Sequence, residues 1–502
     1  MKLKQEFRRT SLLTVYLPSC LPAIIAGVGY GLLSWARFDR MWAGIDLAIF
    51  TQAAKQYSEW QAPWSTIKSV SPFNLLGDHF SPVIALLGPV YALVPHTWVL
   101  LLVQALLIAL ATFILTHTAV RKLGPVLGML VGLIFAASWG IQGLALFDFH
   151  EVAFALPLLA AAYCALLDNR NGRAVLWSLP LMLVKEDSVF LLLGLVLVLL
   201  TRRQWKLASI LAAYAVGSFA LIVWVIIPRI GFYGRYTYWE ASAASGVNPI
   251  VDAFHNAVTS VTSGATPMLF VVLFAGTLGV GFRSPLILGV LPNLLSRLTS
   301  PNPTYLNGDL QYNGTVAVII AIAFVDGVLR YERKPQPDKI PSAVKIDSRP
   351  ATITRQQAVT FAIIASTVVT FAITVFLAPA GLLARTLAPP SEDYKTVAES
   401  LTLIPHNSRV IASDTIAAYL VDRTRLFILE KELTNSASPE KGFTDSTGQI
   451  INADYVVIDR RTAEKWQKVW ISSLIISNPQ KILTEISDQT VPLSYDIIVI
   501  KL

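Results

Sequence analysis

Long apolar runs, separated by short polar and charged segments, dominate about the first 390 residues of the chain. An α-helix needs about 20 apolar residues to cross the hydrocarbon core of a membrane. We therefore predict an all-α polytopic membrane protein for this part. About eleven membrane-spanning segments are expected, at residues 11–34, 98–120, 125–144, 152–167, 174–184, 188–200, 207–227, 266–282, 285–298, 314–329 and 358–383.

Two of these segments, 174–184 and 188–200, are too short to cross the membrane alone. Eleven helical residues rise only about 16 Å, which is about half of the hydrocarbon core. One continuous helix would instead place Lys185, Glu186 and Asp187 in the middle of the membrane. Short helices are tolerated where they line a cavity, so we predict two helices with this charged turn facing an outer cavity.

The positions of Lys and Arg predict the orientation, because cytoplasmic loops are enriched in both. Basic residues precede the first segment, and seven more occur in loop 330–356, which is predicted to be cytoplasmic. The chain then has a long outer loop at 35–80 and ends outside. The formal charge of +8 accompanies 54% hydrophobic and 14% charged residues. This combination indicates positive-inside bias and not nucleic-acid binding. The two cysteines lie in apolar runs, so neither a disulfide framework nor a Cys/His metal site is expected.

The composition changes at about residue 390. Residues 1–389 are assigned to the membrane domain and 390–502 to a small extracytoplasmic α/β domain. Strands are predicted at 409–413, 425–429, 454–459 and 495–501, because these runs are short and rich in β-branched residues.

Two charged clusters interrupt or border apolar sequence, and ionisable groups beside hydrocarbon usually mark functional sites. The turn formed by Lys185, Glu186 and Asp187 is the clearest case, although a self-neutralising cluster could simply end a helix. The other cluster lies at the start of segment 152–167 and consists of Asp148, His150 and Glu151. An Asp/His/Glu set suits acid–base catalysis or cation binding, whereas helix capping is the plainer interpretation. A cytoplasmic hairpin between the two segments would bring both clusters to one membrane face.

Other candidate residues lie in the predicted outer loops. Asp46 opens a helix-like stretch, and the local sequence alone favours a carboxylate that stabilises a helix N-terminus. Asp78-His79 follows a glycine in an aromatic setting, where a turn with a capping Asp is the plainer interpretation. Arg235 and Tyr236 lie in an aromatic run that suits a phosphate or a sugar, or else an interfacial aromatic belt.

Several sequence runs together resemble a bacterial polytopic membrane family catalogued as a domain of unknown function. These runs are GIDLAIFTQA, LGDHFSPVIALLGPVYAL, FDFHEVAFALPL, LVKED, LPNLL and IPHNSRVIASD. That family is similar to the GT-C glycosyltransferases, which take sugars from polyprenyl-phosphate donors.

The resemblance implies a catalytic carboxylate in the first outer loop, acting as a base or a metal contact. This role falls on Asp46 and second on Asp78. The adjacent acidic pair of many GT-C enzymes does not occur around Asp46, so reactions with and without a divalent cation both stay open. A carboxylate with an ordinary pKa is a weak base, so Asp46 would need positioning, a metal or a pKa raised by partial burial among its apolar neighbours.

The resulting hypothesis is a glycosyltransferase of the bacterial plasma membrane that moves a sugar to a glycan, lipid or protein of the cell envelope. The catalytic candidates are Asp46, Asp78, His79, Asp148, His150 and Glu151. The substrate-binding candidates are Lys185, Glu186, Asp187, Arg235 and Tyr236, of which Lys185 or Arg235 would neutralise the leaving phosphate. A lipid or solute transporter and a non-catalytic envelope assembly protein are the alternatives. Transporters more often show internal repeats and charges at several depths.

Overall fold

The computed structural model describes residues 12–69, 73–238, 249–333, 354–376, 392–429, 443–444, 450–460, 462–477, 480, 482–487 and 496–502. Most described residues are helical, and a small sheet lies near the C-terminus. Among the described residues, five helices are long and apolar enough to cross a membrane, or up to seven if each of two bent pairs is one span. A polytopic helical membrane protein is thereby confirmed. The central part of loop 330–356 and the predicted domain boundary at 389/390 lie outside the described residues.

The helices are numbered α1 to α19 in chain order. They are α1 Leu17–Asp39, α2 Ile45–Ser58, α3 Leu87–Leu93, α4 Trp98–Leu123, α5 Pro125–Ala136, α6 Trp139–Ala145, α7 Ala155–Leu167, α8 Asn171–Ser178, α9 Val189–Thr201, α10 Trp205–Leu221, α11 Ile227–Ile230, α12 Pro249–Thr262, α13 Ala265–Phe274, α14 Leu291–Leu298, α15 Asn313–Arg333, α16 Arg355–Phe376, α17 Glu392–Thr402, α18 Asp414–Ala417 and α19 Lys465–Ser477. Short 3₁₀ turns cover Leu75–Gly77, Pro82–Leu86, Glu151–Phe154, Leu179–Leu183, Glu186–Ser188, Ala275–Thr277, Val280–Arg283, Pro285–Val290 and Pro303–Leu306. π-helical turns cover Leu12–Tyr16 and Ile222–Ile226.

The strands are numbered in the same way. They are β1 Trp64–Ser65, β2 Phe73–Asn74, β3 Arg409–Ala412, β4 Arg425–Ile428, β5 Phe443–Thr444, β6 Ile450–Ile451, β7 Tyr455–Asp459, β8 Ile482–Ser487 and β9 Asp496–Lys501.

The structure differs from the predicted set of spans mainly where helices bend or shorten. The predicted span 125–144 is the pair α5 and α6, bent by 51°. The segment between the predicted spans 207–227 and 266–282 contains helix α12, which was not predicted from the sequence. Helix α12 was missed because its polar residues interrupt the apolar run. It forms a second bent pair with α13, at 68°.

The chain breaks at the charged turn between α8 and α9, where two short helices were predicted. Helix α8 continues as the 3₁₀ turn Leu179–Leu183, and Lys185 is fully extended with φ −164° and ψ 148°. The 3₁₀ turn Glu186–Ser188 then leads into α9. The three charged residues therefore lie between helices and not inside one.

Helix α15 forms the centre of the helical part. Within its most apolar stretch of 18 residues, 89% are buried. It packs against α6 and α7. A Cβ on Gly140 of α6 would overlap the Asn313 carbonyl at the start of α15. Only glycine allows this close approach of the two backbones.

The C-terminal sheet has strand order β4-β3-β7-β9-β8. Strand β3 is parallel to β4 and β7, whereas β9 is antiparallel to β7 and β8. The four predicted strands are present, and β8 was not predicted. This sheet domain packs against α2, where Ile416 and Leu47 share one apolar core. The Ala43 amide also donates to the Tyr419 hydroxyl at 2.7 Å.

Candidate active site

Helix α2 is capped by a carboxylate that comes from a distant segment. The amides of Gly44 and Leu47 donate to the two carboxylate oxygens of Asp148, at 3.0 and 3.3 Å. Asp148 is only 5% exposed, and a Cβ on Gly44 would collide with its oxygen. The free amides and the dipole of a helix N-terminus favour such a carboxylate. The structure thus gives Asp148 a positioning contact with the first turn of α2, which carries Asp46.

Asp46 faces the imidazole of His150, with 3.4 Å between Oδ2 and Nε2. The other ring nitrogen of His150 lies 3.2 Å from the Asp148 carbonyl oxygen. In the protonated ring, Nδ1–H donates to that carbonyl while Nε2–H faces the Asp46 carboxylate. His150 is buried, whereas 37% of the Asp46 side chain is exposed. The pair therefore presents an accessible carboxylate backed by a buried imidazole.

The backbone at His150 is held in place by Gln104 of α4, a residue that sequence analysis missed. The His150 amide donates to Gln104 Oε1 at 3.0 Å. The Gln104 side-chain amide donates to the carbonyls of Leu144 and Asp148, at 2.9 and 3.3 Å. A polar residue inside an apolar segment was the signal that could have pointed to it.

The electrostatics of the pair differ from the expectation for Asp46. Burial pushes its pKa up, but the hydrogen bond and charge of His150, together with Lys68 and Lys185, outweigh burial and lower the pKa below its ordinary value. Burial pushes the pKa of His150 down, but Asp46 and Glu151 outweigh it and raise the pKa. A pKa raised by burial, one of the three ways considered to make Asp46 a better base, is therefore not found, because nearby positive groups outweigh desolvation.

The two charged clusters meet in an ion pair. Lys185 Nζ lies 3.0 Å from Glu151 Oε1, and both side chains are largely buried. An approach of the 185–187 turn to the 148–151 segment was expected from the sequence, and the structure brings them together. Because a buried charge without a partner is costly, each residue stabilises the other.

Glu186 is fully buried and joins three segments. Its carboxylate lies 2.6 Å from His79 Nδ1 and accepts from the Phe80 amide at 2.9 Å. It also accepts from the Tyr236 hydroxyl at 3.2 Å. Both oxygens of this carboxylate therefore have partners within the protein. These contacts position the 77–80 loop and Tyr236.

Asp78 lies in a separate ion pair. Its carboxylate is 2.9 Å from Lys68 Nζ and accepts from the Tyr238 hydroxyl at 2.9 Å. Burial pushes the pKa of Asp78 up, but the charges of His79 and Lys68 outweigh it and lower the pKa. Tyr238 stacks on the His79 ring, with 4.2 Å between the centroids. These contacts tie the 77–80 loop to the aromatic run at 232–238.

A cavity of about 310 Å³ lies beside these groups. Among the sequence candidates, those that line it are His79, Lys185, Glu186, Asp187 and Tyr236. Arg235 is exposed and does not line the cavity. Arg297 of α14 does line it, although it was not singled out from the sequence. An arginine at the end of a predicted span was the available signal.

A second, larger groove of about 690 Å³ runs between α1 and α4. Its lining is apolar, and tryptophans Trp35 and Trp98 meet at one end with 5.2 Å between ring centroids. Since both helices are candidate membrane spans, this groove suits hydrocarbon and offers no group for acid–base chemistry.

A divalent cation does not fit the described side chains. Within the described ranges, no three His, Cys, Asp or Glu residues are grouped so that they could hold a metal ion. Asp46 and His150 provide only two such groups. The proposals below therefore include no step through a metal.

The fold and this site define a polytopic helical membrane protein with a charged, partly buried cavity and a small sheet domain beside α2. The chain belongs to the family described as predicted membrane protein (DUF2079), whose sequence model matches residues 37–482. The match includes both the helical part and most of the sheet domain. No curated protein matches the sequence.

Proposed function

We propose that this protein is a GT-C-like glycosyltransferase that transfers a sugar from a polyprenyl-phosphate donor to a cell-envelope acceptor. The observation that carries the proposal is the Asp46–His150 pair. It combines a part-exposed carboxylate with a buried imidazole, near a cavity that contains Lys185. A positioned base next to a site for an anionic leaving group is what displacement of a phosphate requires.

In this reaction, the acceptor oxygen attacks the anomeric carbon while the bond from that carbon to the phosphate oxygen breaks. The bonding electron pair leaves with the phosphate, and the acceptor proton moves to Asp46. The configuration at the anomeric carbon inverts, because attack comes from the face opposite the phosphate. The balanced products are the glycosylated acceptor, the lipid phosphate and a proton, which Asp46 releases to water.

The lowered pKa of Asp46 fits a late proton transfer. A weak carboxylate base removes little of the proton from a free alcohol. Once the new carbon–oxygen bond begins to form, the oxygen becomes positively charged and its proton becomes strongly acidic. Asp46, held as an anion by His150 and Lys68, is then basic enough.

Lys185 supplies positive charge to the cavity, and its partner Glu151 keeps it in place. Asp46 contacts His150, and the next residue, Glu151, forms the ion pair with Lys185 of the cavity. The reacting groups of donor and acceptor could therefore meet between Asp46 and the cavity.

We propose the same orientation of the chain in the membrane that the positions of Lys and Arg predict. About eleven segments cross or enter the membrane, the 330–356 loop is cytoplasmic, and the 390–502 domain is extracytoplasmic. The sheet domain contacts α2 near Asp46, so it would help to hold the acceptor.

The test is sugar transfer in proteoliposomes with a panel of polyprenyl-phosphate sugars. Asp46→Asn keeps the shape of the side chain and removes its basicity, so transfer should fall by about 100- to 10,000-fold. The control is Asp39→Asn, an exposed carboxylate at the end of α1, which should keep full activity. Full activity of Asp46→Asn would reject Asp46 as the base.

The same vesicles test the transporter alternative. A fluorescent polyprenyl phosphate is placed in one leaflet, and its movement to the other is followed by quenching. Movement that depends on the protein, without transfer from any donor, would favour a flippase over the transferase.

A further inference from the structure

Arg297 is a buried arginine without a carboxylate partner. It is 5% exposed, and among the described residues no Asp or Glu oxygen lies within 4.0 Å of its guanidinium. Its Nε donates to the Tyr305 carbonyl at 2.7 Å, and its Nη2 donates to Asn313 Oδ1 at 2.8 Å. A buried charge with only neutral partners is unfavourable unless something else neutralises it.

The third guanidinium nitrogen of Arg297 has no hydrogen-bond partner among the described residues. Nη1 is buried and makes no hydrogen bond, and the residue lines the cavity of about 310 Å³. Asn313 cannot turn away to change this, because its own amide nitrogen donates to the carbonyls of Asn307 and Gly308. The guanidinium is therefore held by two neutral acceptors and keeps one donor nitrogen unused beside the cavity. A guanidinium with a free donor is suited to binding a phosphate.

Unused acceptors lie around the same cavity. Asn293 Oδ1 and Gln311 Oε1 are buried and accept no hydrogen bond, and both residues line the cavity. Asn293 precedes Arg297 by one helical turn, so both lie on one face of α14. Asp187 also lines the cavity, and its carboxylate has no hydrogen-bond partner among the described residues. Such acceptors require donors, and hydroxyl groups are the common neutral ones.

Aromatic rings complete the lining. Tyr305 and Tyr312 meet edge to face, with 4.9 Å between their centroids. The volume is at the lower end of the range for ligand pockets. It therefore suits one sugar ring with its phosphate and not an oligosaccharide.

We propose that this cavity binds a glycosyl phosphate group, with Arg297 on the phosphate and Asp187, Asn293 and Gln311 on the sugar hydroxyls. The identity of the ligand as a sugar donor rests on the proposed function. Arg297 thereby takes the phosphate-binding role that sequence analysis gave to Arg235. The same chemistry occurs in a lipid-linked sugar phosphate and in a free sugar 1-phosphate, which the experiment distinguishes.

The experiment is binding of four probes to the purified full-length protein in detergent, measured by titration calorimetry. The probes are inorganic phosphate, free hexoses, a panel of hexose 1-phosphates and the corresponding hexosyl phosphates of a short polyprenol. We expect a hexosyl phosphate to bind best. Arg297→Gln should weaken its binding by about 10- to 100-fold, since hydrogen bonds to charged groups are lost. Asp187→Asn should weaken the binding of hexosyl phosphates and leave the binding of inorganic phosphate unchanged.

The matched control is Arg283→Gln, which removes an exposed arginine outside the cavity and should bind as the wild type does. Because Arg297 also holds Tyr305 and Asn313, its loss could unfold the protein. Hydrogen exchange of the wild type avoids this difficulty, since a bound ligand should slow exchange in residues 303–315. Tighter binding of the polyprenol form than of the hexose 1-phosphate identifies a membrane lipid as the source, and equal binding identifies a soluble one.

Two results would overturn the site: no anionic probe binds or protects the wild type, or Arg297→Gln binds as tightly as the wild type. The outcome is separable from that of the transferase proposal. Binding without transfer would support the binding site and contradict the transferase proposal. Normal transfer and unchanged binding in a folded Arg297→Gln protein would contradict the binding site and leave the transferase proposal intact.

Discussion

Replacing Asp148 by alanine tests whether this carboxylate holds the first turn of α2 or takes part directly in chemistry. In the structure it accepts hydrogen bonds from the amides of Gly44 and Leu47, at 3.0 and 3.3 Å, and is 5% exposed. Asp148→Ala leaves both amides without this partner, the Leu47 amide in a buried place and the Gly44 amide in a partly buried one. Since Asp46 lies between them in the chain, its position should loosen at the same time.

The magnitude follows from the two lost bonds. A buried donor left unsatisfied costs about 1–3 kcal/mol, and loss of a helix N-cap costs about 0.5–2 kcal/mol. The longer bond to Leu47 contributes less, so we expect a local cost of about 2–4 kcal/mol. Burial raises the pKa of Asp148, the Gly44 amide and His150 oppose this rise, and Asp46 adds to it. The ionised form thus carries a desolvation cost that Asp148→Asn avoids, so the asparagine variant should lose about half as much.

Hydrogen exchange followed by mass spectrometry measures this locally. A cost of about 2–4 kcal/mol corresponds to about 30- to 800-fold faster exchange of the α2 amides, if they exchange through local opening. Asp39→Ala, an exposed carboxylate at the end of α1, serves as the control and should leave α2 unchanged. Unchanged exchange in α2 combined with loss of transfer would refute the capping role and place Asp148 in the chemistry itself.

Two further predictions concern the ion pair and the orientation. Lys185→Met should destabilise the protein by about 3–5 kcal/mol, because it leaves the Glu151 charge buried alone, and adding Glu151→Gln should restore most of the stability; additive losses in thermal unfolding would argue against a direct pair. In a cysteine-free background, a membrane-impermeant maleimide should label Ser472→Cys in intact cells and should not label Gly172→Cys until the cells are opened. Labelling in the reverse pattern would invert the proposed orientation.

The charged residues show where prediction from sequence reached the site and where it did not. The turn at Lys185 was recognised because charge interrupts an apolar run, and both the charge and the break are local properties of the sequence. Its partner Glu151 could be expected on the same side because the segments between them are short. The roles of Asp46 and Asp148 could not be separated, because both are acidic residues next to a helix start.

Tertiary contacts decided these roles. Asp148 contacts the α2 amides, and Asp46 contacts His150. Both contacts join residues about a hundred positions apart in the sequence, and no local pattern predicts such pairs. The pKa of Asp46 also depends on which positive groups lie near it in the folded protein. Its apolar neighbours in the sequence therefore do not give the direction of the pKa shift. Arg297 is a comparable case, since its lack of a carboxylate partner appears only when α14 is packed.

The sequence by itself determined the membrane class, the break at the charged turn and four strands of the C-terminal sheet. These depend on apolar length, on charge within apolar runs and on β-branched composition, which are local quantities. The bends between α5 and α6 and between α12 and α13, the docking of the sheet domain on α2, and the cavity were decided by the tertiary structure. Each of these requires close packing between segments far apart in the chain, where the shape and hydrogen-bonding needs of both partners act together.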